Sequence, residues 1–390
     1  MTGTGADWRV LDGVTTAWFG APSLTAGAAL AGHVADVSAG ILVDLRPAGV
    51  RVRLDGAEHA DAVSAAARDL HLAADPGVLQ AVTVVLESVD PSAVVPFWVS
   101  ALGQPAGRDG VLVDPLRRDP SLRVTRSDQP RPLRNRLHLD VVRPAAAVEQ
   151  ADVGPAGGPY GVRHADADGN EVDLVPGGPL GERPGTSDWQ VVFSATACYR
   201  ATTTDQQRDL ATAAAALADA AGFPLLVDLR PGLVVLDTGK DQGEADAHGL
   251  ALDFADLAQE LQSAARALGA TADPALPHLT QLFLDAADVA AVRAFWAAAL
   301  GYRPDRRVGL DDLWDPRRLD PVLAFQPLDA GETERRRQRD RLHVELAVPV
   351  DVDPARLAAA AAAGGRQLEE SPGRWVLADP EGNELVVRST

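Results

Sequence analysis

RLHVEL, at residues 341–346, has a near copy, RLHLDV, at residues 136–141. Successive side chains of a β-strand point to opposite faces, so the pattern predicts a strand in both places. Each strand would carry three apolar residues on one face and a histidine with an acid on the other. Such a strand is typical of the wall of a binding site, apolar behind and polar in front.

The polar faces hold His343 with Glu345 in the later copy and His138 with Asp140 in the earlier one. Residues two apart on a strand lie about 7 Å apart at their α-carbons, close enough for the acid to raise the imidazole pKa or share a substrate proton. These four residues are the candidate catalytic groups. The alternative is a structural histidine in each copy that ties its strand to a neighbouring backbone carbonyl.

Other matched segments extend this likeness over the whole chain. They keep the same order while their offset grows from 181 to 213, and they are DW (7–8 and 188–189), LVDLRP (42–47 and 226–231), FW (97–98 and 295–296) and GNE (169–171 and 382–384). We infer a tandem duplication, joined by a linker rich in glycine and proline at residues 177–187.

Composition limits the classes of function. The chain has 390 residues, long enough for two to four domains. A net charge of −19 argues against nucleic acid or an anionic membrane as a partner, because phosphates would be repelled. Cys198 is the only cysteine, and no leader pattern or membrane-length apolar run is present. We therefore expect a cytoplasmic, soluble protein.

Hydrophobic periodicity predicts an α+β pattern in each half. In the first half, residues 8–18 read as a strand, 24–38 and 58–72 as helices, and 41–45 and 50–54 as two strands. From about residue 78 a new pattern of strands begins, with a helix at residues 92–102 that Gly103 would cap.

Segments 80–175 and 278–388 resemble the vicinal-oxygen-chelate superfamily, in particular its glyoxalase-like branch. The resemblance is carried by a helix that contains Phe-Trp and ends in Leu-Gly, by the RLHLD strand, and by a turn of the type seen at residues 379–384, DPEGNE. It implies open eight-stranded cups, each built from paired βαβββ motifs, that receive a small molecule. This superfamily hosts both enzymes and binding proteins.

Segments 7–73 and 188–269 resemble pterin-4a-carbinolamine dehydratase modules through VDLR at residues 43–46 and 227–230. Fusions of such a module to a glyoxalase-like domain are common in actinobacterial proteins. The histidine positions of that family are filled here by residues that cannot carry a proton, among them Ala39 and Ile41. We expect both modules to be scaffolds or dimerisation elements without dehydratase activity.

The predicted fold class is thus α+β, in two tandem units that each join a dehydratase-like layer to a glyoxalase-like cup. The predicted domains are residues 1–77 and 186–272 (degenerate dehydratase-like) and residues 78–180 and 273–390 (glyoxalase-like domains 1 and 2). The duplication can imitate within one chain a two-fold dimer, and we expect a monomer with an internal pseudo-two-fold axis or a homodimer.

The superfamily resemblance implies metal ligands on the first strand, the histidine strand and the last strand of a cup. In the second copy these positions give His278 and His343 without a final carboxylate, for which only Glu384 or Glu345 could substitute.

In the first copy, Gln80 replaces the first histidine, while His138 and Asp173 remain. Because both sets are incomplete, we expect no required cofactor and leave a divalent metal open.

Four further residues are candidate ligand-binding groups. Trp314 and Trp375 could stack on a flat ligand, although core packing is the alternative for Trp375. Arg341, in the basic run at residues 335–341, and its counterpart Arg136 could anchor an anion, although such a run is usually a solvated loop.

Two hypotheses for function follow. The first is a small-molecule enzyme of bacterial specialised metabolism, performing lyase, isomerase or dehydration-type acid–base chemistry in a cup. The second is a protein that binds a metabolite or gives antibiotic self-resistance without chemistry. Both imply a small-molecule partner.

Overall fold

The computed structural model describes residues 5–37, 40, 42–107, 109–244 and 246–390. Ser38, Ala39 and Ile41, which the sequence assigned to a helix end, a lost histidine position and a strand start, lie outside the described residues. The α+β class and the duplicated organisation are confirmed.

The described residues form 24 strands. They are β1 (Trp8–Leu11), β2 (Val14–Gly20), β3 (Leu42–Arg46), β4 (Gly49–Leu54), β5 (Ala73–Ala74), β6 (Ala81–Ser88), β7 (Val111–Leu112), β8 (Ser121–Arg126), β9 (Leu137–Pro144), β10 (Arg163–Ala165), β11 (Glu171–Pro179), β12 (Gln190–Val191), β13 (Ala195–Arg200), β14 (Leu226–Arg230), β15 (Leu233–Asp237), β16 (Thr271–Ala272), β17 (Leu279–Ala286), β18 (Arg303–Pro304), β19 (Leu313–Trp314), β20 (Leu323–Pro327), β21 (Leu342–Val348), β22 (Arg366–Ser371), β23 (Arg374–Ala378) and β24 (Glu384–Ser389).

The α-helices of the described residues are α1 (Leu24–Val37), α2 (Ala60–Asp69), α3 (Pro91–Leu102), α4 (Ala145–Glu149), α5 (Thr204–Ala221), α6 (Phe254–Ala267), α7 (Val289–Leu300), α8 (Thr333–Arg337) and α9 (Asp353–Ala362). In the part of the chain that the structure describes, no helix has the length and apolar character needed to span a membrane.

The structure divides the predicted first strand into a hairpin. Asp12 and Gly13 have φ of 48° and 83°, the left-handed backbone that a two-residue turn between antiparallel strands requires. Gly103 ends α3 with φ of 66°, as its predicted capping role demands.

The chain forms two compact units. Unit 1 holds the described residues of 1–79 and 177–278, and unit 2 holds those of 80–176 and 279–390. The two copies of the VDLR segment thus lie together in unit 1, and the two copies of the RLH strand lie together in unit 2. The four domain boundaries given by the sequence stay a prediction.

In unit 1, one antiparallel sheet runs through both copies in the order β1-β2-β4-β3-β14-β15-β13. Strands β3 and β14 meet at its centre, where Asp44 faces Asp228. Arg46 donates to Asp228 at 2.6 Å and Arg230 donates to Asp44. Each copy therefore contributes an arginine to the buried acid of the other, and Asp44 is also paired with Arg51 and Arg53 of its own copy.

Unit 2 contains two sheets. The His343 sheet has the order β22-β23-β24-β21-β6-β8-β7, and the His138 sheet has the order β10-β11-β9-β17-β20-β19-β18. Each sheet combines strands of both copies, because β21 pairs with β6 and β17 pairs with β9, both antiparallel. Neither copy completes a sheet by itself.

The expected eight-stranded cups have seven strands each among the described residues. An isolated bridge takes the place of the eighth, between Ala106 and Leu112 in the His343 sheet and between Gly157 and Arg163 in the His138 sheet. These segments are rich in glycine, which weakens a continuous strand.

The Phe-Trp helices and the Gly-Asn turns recur together because they are hydrogen-bonded. The buried indole of Trp98 donates to Asp166 at 2.8 Å, and that of Trp296 donates to Asp379 at 3.0 Å. Asp166 and Asp379 also accept backbone N–H groups of their own turns. One carboxylate in each copy thus joins a helix to a turn more than sixty residues away.

Arg136 and Arg341 make a reciprocal connection between the copies. Arg136 donates from its side chain to the carbonyl of Glu381, at 2.7 Å, in the turn of the second copy. Arg341 donates to the carbonyl of Gly169, at 3.1 Å, in the turn of the first. Arg136, which is 1% exposed, also lies 3.4 Å from the buried carboxylate of Asp340.

We expect Arg136→Ala to lower the free energy of unfolding by about 3 kcal/mol or more, because Asp340 would keep a buried charge without its partner. Arg337→Ala is the matched control; its side chain is 77% exposed, and we expect a change within about 0.5 kcal/mol. Urea titrations followed by circular dichroism measure both. Equal effects of the two substitutions would contradict the reciprocal connection.

Candidate functional site

His138 lies on the polar face of β9. Its neighbours Leu137, Leu139 and Val141 belong to the hydrophobic core of unit 2, so the imidazole points to the other side of the strand, as the alternation predicted. Phe283 of β17 stands opposite His138, and the two rings stack with centroids 5.2 Å apart. The imidazole is 5% exposed.

His138, Asp140 and Asp173 form a group of donor atoms that we call the His138 group. The imidazole Nε2 lies 3.5 Å from Asp140 Oδ1, and one donor atom from each of the three residues falls within 4.8 Å of the others. Asp173 arrives from β11, which pairs with β9. The sequence named all three residues but did not bring Asp140 into the metal set.

Gln281 is a member of this site that the sequence analysis missed. It stands opposite Asp140 in the β17–β9 pairing and donates to Asp140 Oδ2 at 2.7 Å. Its own side-chain oxygen is buried and has no hydrogen-bond partner among the described residues. Alternation along β17 marks Gln281 as polar-faced, but only the pairing between the copies shows which histidine it meets.

The first-strand candidate His278 is placed differently from the prediction. It immediately precedes β17, and its ring nitrogen lies 2.8 Å from the carbonyl oxygen of Leu276. Strand β17 pairs with β9, whereas His343 lies on β21, which pairs with β6. The structure therefore does not bring His278 and His343 into one set. Likewise Gln80, just before β6, precedes a strand of the His343 sheet rather than one beside His138.

Burial makes the imidazole of His138 a neutral group. It lowers the pKa of His138 to about 4, while the carboxylate of Asp285 opposes the shift and Arg134 and Arg335 add to it. The nearby acid raises the pKa, but desolvation of the cation outweighs this attraction and sets the net direction. The buried Nδ1 of His138 has no hydrogen-bond partner among the described residues.

The carboxyl group of Asp173 is shifted the other way. Burial raises its pKa, and the nearby negative charge of Glu171 adds to the effect. Arg134 and Arg163 are engaged with Glu171. Among the described residues, Asp173 has no cationic partner within 4.0 Å, so its charge is balanced only at longer range.

The corresponding face of the His343 sheet has different chemistry. Glu345 contacts Arg123 of β8 at 2.7 Å and Arg388 of β24 at 3.0 Å. Val386 stands opposite Glu345, where a final-strand carboxylate was sought. His343 Nδ1 lies 4.0 Å from Glu87 and has no hydrogen bond within the described residues.

Comparison with known proteins supplies the family. A glyoxalase-like domain matches residues 83–175 and 281–388, which together make up just over half of the chain. The chain belongs to the glyoxalase-like domain family. This confirms the glyoxalase-like part of the resemblance, whereas the dehydratase-like part is not shown. No curated protein matches the chain significantly.

Several solved structures are similar in part to this glyoxalase-like chain. Glyoxalase I from Zea mays has 11% identity, covers 80% of this chain and 93% of its own, and has a TM-score of 0.40. A glyoxalase/bleomycin resistance protein from Albidiferax ferrireducens has 19% identity, covers 28% of this chain and 94% of its own, and scores 0.21. The cppA protein from Streptococcus pneumoniae has 11% identity, covers 80% of this chain and 98% of its own, and scores 0.34. Scores this low carry no argument about function.

The four predicted ligand-binding residues have structural partners in this glyoxalase-like chain. Trp375 packs against the core of unit 2, opposite the core residue Val387, on the other face of the sheet from Glu345. The guanidinium of Arg318 lies 3.8 Å above the ring of Trp314 and so covers one of its faces. Arg136 and Arg341 bind the turns described above. None of these placements supports contact with a ligand.

His343 makes the stability of the protein depend on pH. Burial lowers its pKa; Glu87 of β6, Glu345 of β21 and Glu384 of β24 oppose the shift, and Arg339 adds to it. Below about pH 6.5 the unfolded chain takes up a proton that the folded chain resists, so the free energy of unfolding falls with pH.

We therefore expect wild type to lose stability faster than His343→Gln between pH 7.5 and pH 5.5, by at most about 1.4 kcal/mol, because pH 5.5 lies one unit below the unfolded-state pKa. His33→Gln, on an exposed position of α1, should keep the wild-type slope. Urea unfolding across this pH range measures the three profiles. Parallel profiles for wild type and His343→Gln would contradict the assignment.

Proposed function

We propose that this glyoxalase-like protein is a small-molecule enzyme whose reaction takes place at the His138 group. The observation that carries the proposal is a buried, neutral imidazole whose Nδ1 has no hydrogen-bond partner, set beside two carboxylates on one face of a sheet. Family membership supports a small-molecule enzyme or binding protein. Perturbed titratable groups that converge on one point are typical of catalytic sites.

Acid–base chemistry is the role that fits the three side chains. A neutral imidazole can accept a proton, and an acid whose pKa is raised can hold one longer than an ordinary carboxyl group. Gln281 holds Asp140 beside His138 through its 2.7 Å hydrogen bond. We infer a lyase, isomerase or dehydration-type step of bacterial specialised metabolism, in which His138 and Asp173 move the proton.

The same residues fit a divalent metal ion. His138 offers a neutral nitrogen, Asp140 and Asp173 offer carboxylate oxygens, and Gln281 offers a buried amide oxygen without a hydrogen bond. A mixed nitrogen and oxygen set with two negative charges suits Zn²⁺, Mn²⁺ or Fe²⁺. Such an ion would supply Lewis-acid polarisation of a substrate oxygen when bound.

Metal binding is tested by titration with Mn²⁺ and with Zn²⁺ in a calorimeter. We expect one site per chain, and we expect Asp173→Asn to weaken the affinity at least about tenfold because a charged donor is lost. His343→Gln, in the other sheet, is the matched control and should leave the affinity unchanged. Equal affinity in Asp173→Asn and wild type would remove the metal from the proposal while leaving acid–base chemistry to stand.

Catalysis is tested by incubating the purified protein with a bacterial metabolite extract and following the loss and gain of masses. We expect His138→Gln to slow any conversion by about a hundredfold or more, the usual contribution of a positioned acid or base. His33→Gln, at an exposed position of α1, is the matched control and should convert at the wild-type rate. A conversion that survives in His138→Gln would overturn the assignment of His138.

A non-catalytic binding or self-resistance protein is the second candidate. The observation that favours it is that Glu345 forms ion pairs with two arginines. Catalysis on the His343 sheet would need this carboxylate to be available for proton transfer. Binding of a metabolite without any change of mass would support this candidate. Catalytic roles for His343 and Glu345 stay a prediction with less geometric support than those of His138 and Asp140.

Unit 1 is assigned a scaffold role in this proposal. Its dehydratase-like character rests on the VDLR segments, in which Asp44 and Asp228 form buried cross-pairs with Arg230 and Arg46. Such pairs serve the joining of the two copies rather than chemistry. The cytoplasmic location and the oligomeric state stay predictions.

A further inference from the structure

Two arginines meet over the centre of the polar face of the His343 sheet. Arg123 comes from β8 and Arg388 from β24, on opposite sides of β21, and both contact the same oxygen, Glu345 Oε2, at 2.7 and 3.0 Å. Two guanidinium groups therefore share one carboxylate. We call these three residues the Arg123 group.

The other ion pairs on this face are balanced. Glu87 contacts Arg131 and Arg339, and Arg339 also contacts Glu384. Each of these acids meets arginine there, whereas in the Arg123 group two arginines meet one acid. In a chain with a net charge of −19, two converging guanidinium groups single out a place that attracts anions.

The duplicated sheet shows that Arg123 has no arginine counterpart on the other face. Arg123 stands opposite Val85, and in the His138 sheet the matching place opposite Phe283 holds Ala324. The strand residue opposite Glu345 is Thr83, whereas the one opposite Asp140 is Gln281. The two faces descend from one pattern but now present different chemistry.

A ligand could reach the arginines and would meet further polar atoms there. The side chains of Arg123 and Arg388 are 32% and 25% exposed. The hydroxyls of Thr83 and Ser121 lie 3.2 Å apart on the same face, directly beside Glu345. His343 also lies on this face, and its side chain is 7% exposed. Its buried Nδ1 has no hydrogen-bond partner among the described residues.

We propose that the Arg123 group is a second binding site, separate from the His138 group, that takes a small organic oxyanion of the carboxylate or phosphate type. Guanidinium groups bind such oxyanions with paired, charge-assisted hydrogen bonds. Glu345 acts as an internal anion that positions both arginines and yields one or both of them to the ligand. The site requires no chemistry at His138, and the two proposals can fail separately.

The test is calorimetric titration of the full chain at constant ionic strength, with succinate in one arm and inorganic phosphate in the other. We expect saturable binding of one of them and at least about tenfold weaker binding in Arg123→Ala and Arg388→Ala. Glu345→Gln should bind several-fold more tightly, because it removes the competing charge but keeps a hydrogen-bonding oxygen. A purely structural carboxylate would not give that gain.

Arg126→Ala is the matched control, since Arg126 lies on the same strand as Arg123, three residues along on the opposite face, and its side chain is 75% exposed. It should bind as wild type does, and so should Asp173→Asn in the other sheet.

Absence of saturable binding by both probes, in wild type and in Glu345→Gln, would overturn the proposal. Binding lost in Asp173→Asn but kept in Arg123→Ala would place the anion at the His138 group and overturn it as well. Should Arg388→Ala fail to fold by circular dichroism, Arg123→Ala and Glu345→Gln decide.

Discussion

The pairing of each copy's strands with those of the other copy is the constraint on which unit 2 depends. Strand β6 of the first copy pairs with β21 of the second, and β9 pairs with β17. A single copy would expose the hydrogen-bonding edges of β6 and β9, which cost free energy when left without partners. Arg136 and Arg341 reinforce this strand pairing, because each donates a hydrogen bond to a turn of the opposite copy.

The pairing of strands between the copies also explains which residues meet on the two polar faces. His138, Asp140 and Asp173 all belong to the first copy. Gln281, which donates to Asp140, and Phe283, which stacks on His138, come from the second copy, so the surroundings of the His138 group are complete only when both copies are folded together. The Arg123 group likewise joins Arg123 of the first copy to Glu345 and Arg388 of the second. The two faces keep a matching acid, Asp140 on one and Glu345 on the other. They differ because Asp173 and Gln281 stand on the first face where Val386 and Thr83 stand on the second, and because Arg123 and Arg388 contact Glu345 on the second.

Local features were readable from the sequence because they depend on near neighbours. Alternation in RLHLDV and RLHVEL predicted which side chains face the core, and Gly103 was predicted as a cap because a left-handed residue favours glycine. The hairpin at Asp12 and Gly13 was missed, although an Asp-Gly pair between alternating residues is a known turn signal. The net direction of the His138 pKa shift was not readable from the sequence, since the degree of burial depends on residues such as Phe283 from the other copy.

By itself, the sequence determined the duplication, the α+β class, the strand that carries each histidine and the face on which that histidine lies. It could do so because period-two alternation and repeated motifs are read directly along the chain. Only the tertiary structure decided that Gln281 rather than Gln80 lies beside the His138 group, that Glu345 is held by two arginines, and that Arg136 and Arg341 each donate to a turn of the opposite copy. The physical reason is that strand pairing and burial are non-local: residues more than a hundred positions apart share a hydrogen bond or lose their water only after the two copies have folded around each other.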